Sequence, residues 1–316
     1  MRKALSMLLV VAVICGWSVA AFGAPIFINI GTGSVGGTYY PVGSAMSTIW
    51  NRELPNMRAS VQSTGGTRAN IDLLARGEIE VGFTDGLYYP AFNGLHMFEG
   101  NPQPFLRAMV PLYPEPINLV VAEGSGITSI RDLRGRRVVI GPVGSGTEVT
   151  ARAFLGALGI CPDNDIIPQQ LSMAEAASAL ADRVVDAAFM MGAIGMAAVM
   201  ETTTMGTGRI IPIEDDLVAL LNEVLPYYSA FTIPGGLYPG HSYDIPTSAT
   251  WNILSVHQDV DADLVYAMTR ALFENAEELV NVAAVMSYMQ KDALHVVEIP
   301  LHPGAERFFR SAGVIQ

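Results

Sequence analysis

The sequence predicts an α/β fold with two lobes, in which parallel-rich sheets are flanked by helices. Short apolar segments alternate with helical segments along most of the chain, and three loops that join a strand to the next helix are rich in glycine. Alternation of this kind favours parallel strands with helices on both faces of the sheet. Extended segments are expected to connect the lobes and to form a hinge beside a cleft.

The first strand-to-helix unit is the most informative part of the chain. The apolar segment 27–30 runs into the glycine-rich loop 31–37, and Pro41 suits the first turn of a helix because its missing N–H group is not needed there. Backbone N–H groups and the positive end of a helix dipole converge at such a loop. The unit therefore predicts a site for an anion, often a carboxylate.

The next elements repeat this pattern twice. A second loop, 63–67, and a third, 141–148, each follow a strand and precede a helix, and Gly159 is suited to end the helix after the third loop. The other predicted elements are strands 59–62, 81–83, 137–140 and 187–190, and helices 68–76, 148–158 and 174–180.

Two crossings between the lobes are predicted. Extended segments 106–110 and 117–122 flank the residues 113–116, whose two prolines exclude a helix and make a stiff connection. A second crossing is expected near 231–234. These positions predict a first lobe made of residues 24–112 and 234–316, and a second lobe made of residues 113–233.

The last quarter of the chain has a different pattern. Apolar residues at helical spacing predict that 259–290 is strongly helical, and a final helix is expected from about Ala305. The acidic run 214–216 is expected to be a solvated loop, because it lacks the glycine and the spaced oxygen ligands of a calcium loop.

The first 23 residues have the features of a secretory signal peptide. Arg2 and Lys3 precede an apolar run from Met7 to Ala21, and Ala21 and Gly23 are the small residues that cleavage after Gly23 requires. An uncleaved membrane anchor is the alternative. Cleavage near Gly23 predicts an exported, periplasmic protein.

The composition of the mature chain limits its partners. Removing 23 of the 316 residues leaves 293, enough for two domains, and removing Arg2 and Lys3 from the 18 basic residues leaves 16 against 30 acidic ones. Such an acidic protein is a poor partner for nucleic acid. Cys161 is the single cysteine left, so no intrachain disulfide is expected.

Familiar catalytic and cofactor motifs are incomplete. The spacing Gly31-x-Gly33-x-x-Gly36 matches a dinucleotide fingerprint, but no acidic residue ends the second strand to bind a ribose. The loop 141–148 resembles a phosphate loop without its lysine, and the five histidines are scattered without metal-ligand spacing. We therefore expect no catalytic residue, no cofactor and no metal, and a binding protein rather than an enzyme.

Five motifs together resemble one known family. They are Gly36-Gly37-Thr38-Tyr39-Tyr40-Pro41, Thr64-Gly65-Gly66-Thr67, Leu112-Tyr113-Pro114-Glu115-Pro116, Gly144-Ser145-Gly146-Thr147-Glu148 and Pro300-Leu301-His302-Pro303-Gly304-Ala305. Their order over the mature chain is similar to that of the TAXI family, the extracytoplasmic solute receptors of tripartite ATP-independent periplasmic (TRAP) transporters. The resemblance implies a two-lobed periplasmic binding protein fold (type II-like) that captures a small organic acid, glutamate or another dicarboxylate, and delivers it to an ion-driven TRAP membrane permease.

The chain departs from the family pattern at two places. Arg68 stands where a small or apolar residue is expected, and Thr84-Asp85-Gly86 replaces a more amide-rich segment. Both segments are expected to face the ligand, so the ligand of the family cannot be transferred directly. A periplasmic ligand sensor and a secreted enzyme acting on a small carboxylate are the alternative functions.

The candidate ligand-binding residues lie in the three loops and at the first crossing. Arg68 could clamp a carboxylate with two hydrogen bonds or could face solvent, and Glu115 could accept a ligand ammonium or brace the hinge. The complete set is Ser34, Gly36, Thr38, Tyr39, Thr64, Gly65, Thr67, Arg68, Asp85, Glu115, Ser145 and Thr147.

Overall fold

A computed structural model describes residues 24–34 and 36–316 of the chain. The predicted signal peptide and its cleavage after Gly23 lie outside the described residues. Within the described residues, the strands are β1 (Ile26–Gly31), β2 (Met57–Gln62), β3 (Val81–Thr84), β4 (Leu106–Ala122), β5 (Arg137–Val139), β6 (Ile167–Gln169), β7 (Ala187–Met191), β8 (Gly208–Ile211), β9 (Ser229–Ile233) and β10 (Ile245–His257).

Helices alternate with these strands. The α-helices are α1 (Tyr39–Glu53), α2 (Thr67–Ala75), α3 (Tyr88–Asn93), α4 (Gly146–Ala157), α5 (Met173–Ala181), α6 (Ala197–Thr204), α7 (Asp215–Val224), α8 (Ala262–Glu274), α9 (Ala276–Val282) and α10 (Pro303–Ser311). Short 3₁₀ segments occupy His96–Phe98, Ile130–Leu133, Ala284–Tyr288 and Lys291–Val296. In the part of the chain described here, no helix is both long enough and apolar enough to cross a bilayer.

The strands form a sheet with a group of three parallel strands at each end. β1 pairs in parallel with β2 and β3, and β5 pairs in parallel with β6 and β7. Between these groups, β10 pairs antiparallel with β3 and with β4, and β4 pairs antiparallel with β7. The strand order is therefore β2-β1-β3-β10-β4-β7-β5-β6. The α/β prediction with parallel strands and flanking helices is confirmed.

Each half of the sheet has its own apolar core. In the first half, Trp50 and Phe309 are fully buried, and the indole N–H of Trp50 donates to the carbonyl of Met268 at 3.0 Å. In the second half, Phe154 and Phe189 are fully buried. Burying two large aromatic side chains in each core stabilises each half by several kcal/mol, at about 25 cal/mol per Å² of apolar surface.

The two crossings between the halves are long strands. β4 continues without a break through Pro114 and Pro116, whereas the sequence predicted two extended segments joined by a connection. The return crossing is β10, not the segment near 231–234, because Tyr238 and Ile245 still pack in a core of the second half. Two antiparallel strands therefore form the hinge.

The structure refines one prediction in the later part of the chain and corrects another. The helical region over 259–290 is divided at Asn275, whose side-chain amide donates to the carbonyl of Ala271 at 2.8 Å and so competes with the backbone of the helix. The acidic run 214–216 is not a loop but the start of α7, with Glu214 at the N-cap. Negative side chains are favoured there by the positive end of the helix dipole.

Candidate functional site

A small cavity lies between the two halves, at the carboxyl ends of the parallel strands. It encloses about 50 Å³, room for about four water molecules at 10–15 Å³ each. Ligands of open α/β sheets bind at this edge. The cavity is lined by Gly33, Ser34, Gly37, Thr38, Tyr39, Gly65, Gly66, Thr67, Asp85, Glu115, Pro142, Ser145, Gly146, Thr147, Met173, Met191 and Gly192.

The halves touch each other around this cavity. The N–H group of Ala69 donates to the carbonyl of Gly144 at 3.0 Å, which joins the first turn of α2 to the third glycine-rich loop. A Cβ atom on Gly65 would overlap the carbonyl oxygen of Val143, and a Cβ atom on Gly146 would overlap the carboxylate of Asp85. The cleft is therefore closed, and glycine is required at these two contacts for steric reasons.

The start of α1 supplies polar groups to the cavity. The ring of Tyr39 stacks on Phe83 with centroids 4.9 Å apart. Its hydroxyl donates to Asn252 Oδ1 and lies 3.4 Å from Glu115 Oε2. Thr38 occupies the N-cap position, and its buried hydroxyl has no hydrogen-bond partner among the residues that the structure describes. A buried unpaired hydroxyl costs about 1–3 kcal/mol, and a ligand group in the cavity can satisfy it.

Two buried carboxyl groups dominate the electrostatics of the cavity. Burial, with the nearby charge of Asp85 as a second cause, raises the pKa of Glu115 to about 8, although hydrogen bonds to Asn252 and Tyr39 lower it in part. Burial raises the pKa of Asp85 to about 6, against hydrogen bonds to the Leu87 N–H group and the Thr67 side chain. The pair therefore carries at least one proton over much of the neutral range unless a cation enters the cavity.

The described lining contains no Lys, Arg or His side chain that could neutralise this pair. Asp85 instead lies at the N-terminus of α4, where Gly146 begins the helix. The positive end of that helix dipole favours a negative charge. The third glycine-rich loop thus contacts a carboxylate of the chain itself at Gly146. Its residues Pro142, Ser145 and Thr147 also line the cavity, and the prediction that this loop faces the ligand stays a prediction.

Nine of the twelve predicted site residues line the cavity. Ser145 caps α4 by accepting from the N–H of Glu148 at 3.0 Å, and Thr67 accepts from the N–H of Asp85 at 3.0 Å, so both also hold the local backbone. The nine are Ser34, Thr38, Tyr39, Gly65, Thr67, Asp85, Glu115, Ser145 and Thr147. Ligand binding by these residues stays a prediction.

The structure does not bring the other three to the cavity. The guanidinium of Arg68 pairs with Asp72 at 3.1 Å and lies over the ring of Phe98, so it is not placed to clamp a ligand. The hydroxyl of Thr64 is used inside the first lobe, donating to the Thr32 carbonyl at 2.8 Å. Gly36 has a φ of +92° and packs near Ala174.

Sequence reasoning missed several lining residues. Met191 and Gly192 follow the predicted strand 187–190 directly, and their position at its carboxyl end was the available signal. Asn252 lies in β10 and contacts Tyr39, but a residue inside a strand carries no local signal of this kind. The remaining missed lining residues are Gly33, Gly37, Gly66, Pro142, Gly146 and Met173.

A family model described as the NMT1-like family matches residues 30–313. The chain belongs to the NMT1-like family. Among the solved structures similar to this NMT1-like protein is one from Bordetella bronchiseptica RB50, at 16% identity and a TM-score of 0.53, covering 92% of this chain and 89% of that chain. Another, described as a putative L-cystine ABC transporter from Listeria monocytogenes, has 12% identity and a TM-score of 0.50. The match covers 83% of this chain and 96% of that chain. A TctC solute binding protein from Polaromonas has 16% identity and a TM-score of 0.48. The match covers 83% of this chain and 88% of that chain.

At these identities the similarity concerns the fold alone. The NMT1-like protein has the two-lobed α/β fold of periplasmic binding proteins, with a hinged cleft, and this prediction from the sequence is confirmed. Membership of the TAXI family stays a prediction. In the described part of the protein, no group of three or more His, Cys, Asp or Glu side chains is arranged to hold a metal ion.

Proposed function

We propose that this NMT1-like protein is a periplasmic solute-binding receptor that captures a small organic acid between its lobes. The observation that carries the proposal is the closed cleft, in which loops from both halves surround a small polar cavity. A ligand that contacts both halves binds the closed form better than the open form, and this difference in affinity drives closure.

The acid that fits this cleft best also carries a protonated amine. The buried hydroxyl of Thr38 and the positive end of the α1 dipole suit a carboxylate. Asp85 and Glu115 suit an ammonium group, since they are buried without a cation in the lining. A dicarboxylate without an amine would add negative charge beside this pair, so we favour an amino acid, with glutamate-like ligands as one case.

The delivery partner we propose is an ion-driven TRAP permease, as the resemblance to the TAXI family implies. Reconstitution of the receptor with TRAP membrane subunits in vesicles tests this partner. Uptake into vesicles should require the receptor and a sodium or proton gradient. Uptake that requires ATP instead would identify an ABC transporter and contradict this part of the proposal.

The receptor function itself is tested by a thermal-shift screen of the mature protein. The panel contains amino acids, their 2-hydroxy analogues and dicarboxylates, and sugars serve as the comparison. A ligand at a free concentration of 100 times its Kd stabilises the folded state by about 2.7 kcal/mol, which raises Tm by several degrees. Stabilisation by sugars alone, or by none of the small acids, would contradict the proposal, and chemical conversion of a bound acid would favour an enzyme instead.

A further inference from the structure

An apolar groove adjoins the cavity between the lobes. The cavity holds about 50 Å³, whereas the groove holds about 580 Å³. Gly37 and Thr38 line both spaces, and Gly192 of the cavity is followed directly by Ala193 of the groove. The groove is lined by Gly37, Thr38, Pro41, Ala193, Ile194, Gly195, Met196, Ala197, Leu237, Val282, Ala283, Ala284, Val285, Ser287 and Tyr288.

The lining of this groove differs in character from that of the cavity. It contains no charged side chain among the described residues, and most of its members are aliphatic or aromatic. Val282 and Tyr288 are 48% and 39% exposed, so apolar surface is open to solvent at this place. Exposed apolar surface next to a binding site is typical of a surface that a ligand covers.

Both halves of the molecule build the groove. Pro41 and the segment 282–288 belong to the first half, whereas Met196 and Leu237 pack in the core of the second half. Between them, Ala193 packs in the first core and Ile194 packs against both cores. The groove in this form therefore exists only when the lobes are closed. A group that fills it contacts both halves and adds to the free energy of closure.

From the residues that line both spaces, we infer that the ligand carries an apolar chain that leaves the cavity past Gly37 and Thr38 and lies in this groove. The inference rests on the proposed function and specifies its ligand. The cavity has room for a head group of a few atoms, such as the amine and carboxylate of an amino acid. The remainder of a longer ligand needs a second space, and the groove is the apolar space that adjoins the head group.

The experiment is a calorimetric series on the mature protein. The probes are alanine, 2-aminobutyrate, norvaline, norleucine and 2-aminooctanoate, with straight-chain fatty acids and alkylamines of the same lengths as parallel series. Each buried methylene group contributes about 0.8 kcal/mol, so Kd should fall about fourfold with each added methylene once the chain reaches the groove.

Variants that fill the groove test whether the dependence of Kd on chain length arises there. Ala284 and Ala197 line the groove and are exposed, so Ala284→Trp and Ala197→Trp should fold and should reduce the ratio of norleucine to alanine affinity at least tenfold. Ala312, an exposed residue after α10, provides the control Ala312→Trp, which should keep the ratio of the parent protein.

The possible failures are distinguishable. Equal affinity for short and long amino acids, or a chain-length series that both groove variants leave unchanged, would overturn the inference while the receptor function stands. Altered permease-dependent uptake in the groove variants, with an unchanged chain-length series, would also overturn it and would assign the groove to the permease. Binding of no member of any series would overturn the inference. It would overturn the proposed function as well only if no other small acid raises Tm in the thermal-shift screen.

Discussion

The carboxylate of Asp85 packs directly against the α-carbon of Gly146, across the cleft. Asp85 follows β3 in the first half and Gly146 begins α4 in the second half. The contact places a buried negative charge at the N-terminus of a helix that belongs to the opposite lobe, where the helix dipole favours it. This contact exists only while the lobes are closed, so closure and the charge state of the cavity are coupled.

Substitution of Gly146 should prevent full closure. A methyl group in Gly146→Ala would occupy the position of the Asp85 carboxylate, so the ligand should bind at least tenfold more weakly by calorimetry. Small-angle scattering should show a larger radius of gyration with ligand than in the parent protein.

Gly156 supplies the control in the same helix. A Cβ atom on Gly156 would meet no other atom within 4 Å, so Gly156→Ala should keep ligand affinity. It should also raise stability by about 0.5–1 kcal/mol, because alanine favours a helix interior. Equal affinity of Gly146→Ala and Gly156→Ala would show that the observed closed contact is not needed for binding.

The unliganded protein should lose stability as the pH rises from about 5 to 8. Burial raises the pKa of Glu115 from its ordinary value of 4.5 to about 8, so the folded state holds a proton that the unfolded chain has released in this window. Stability falls with pH wherever the folded state binds more protons, by at most 1.36 kcal/mol per pH unit for one proton. Thermal unfolding across this range measures the slope.

Glu115→Gln should flatten this slope, because glutamine does not ionise. Glu277→Gln, at an exposed glutamate in the first turn of α9, is the matched control and should leave the slope as in the parent protein. A slope that is the same in parent and Glu115→Gln would mean that other groups produce it.

Arg68→Ala should leave ligand affinity unchanged. The guanidinium is engaged by Asp72 and by the ring of Phe98, outside the cavity lining. The i,i+4 ion pair is worth about 1 kcal/mol or less, and the cation–π contact to the buried ring of Phe98 about 0.5–2 kcal/mol, so the loss of stability should be at most about 3 kcal/mol. Calorimetry of the variant checks this. A tenfold loss of dicarboxylate affinity would instead support the hypothesis that Arg68 binds a ligand carboxylate.

Local patterns predicted much of the site. Glycine and hydroxyl residues after β1, β2 and β5 marked the loops that line the cavity, because a loop at the carboxyl end of a parallel strand is recognisable from its own neighbours in sequence. The i,i+4 spacing of Arg68 and Asp72 was also a local signal, and it indicated the ion pair rather than a ligand clamp.

Other features depend on contacts between distant residues. Asp85 and Gly146 meet only through closure of the lobes, and Asn252 reaches Tyr39 because β10 returns beside β4. The raised pKa of Glu115 follows from its complete burial between these strands. None of these relationships has a fixed spacing in the sequence, so a single chain could not predict them.

The most direct test of the central claim compares two ligands that differ only in the amine. Norvaline and 2-hydroxypentanoate are titrated into the parent protein and into Glu115→Gln by calorimetry. If Asp85 and Glu115 accept a ligand ammonium, the parent should bind norvaline with micromolar affinity, on the order of −8 kcal/mol, and at least 100-fold more tightly than the hydroxy acid. In Glu115→Gln this preference should fall below tenfold. Equal binding of the two ligands by the parent, or a preference that survives in Glu115→Gln, would contradict the account.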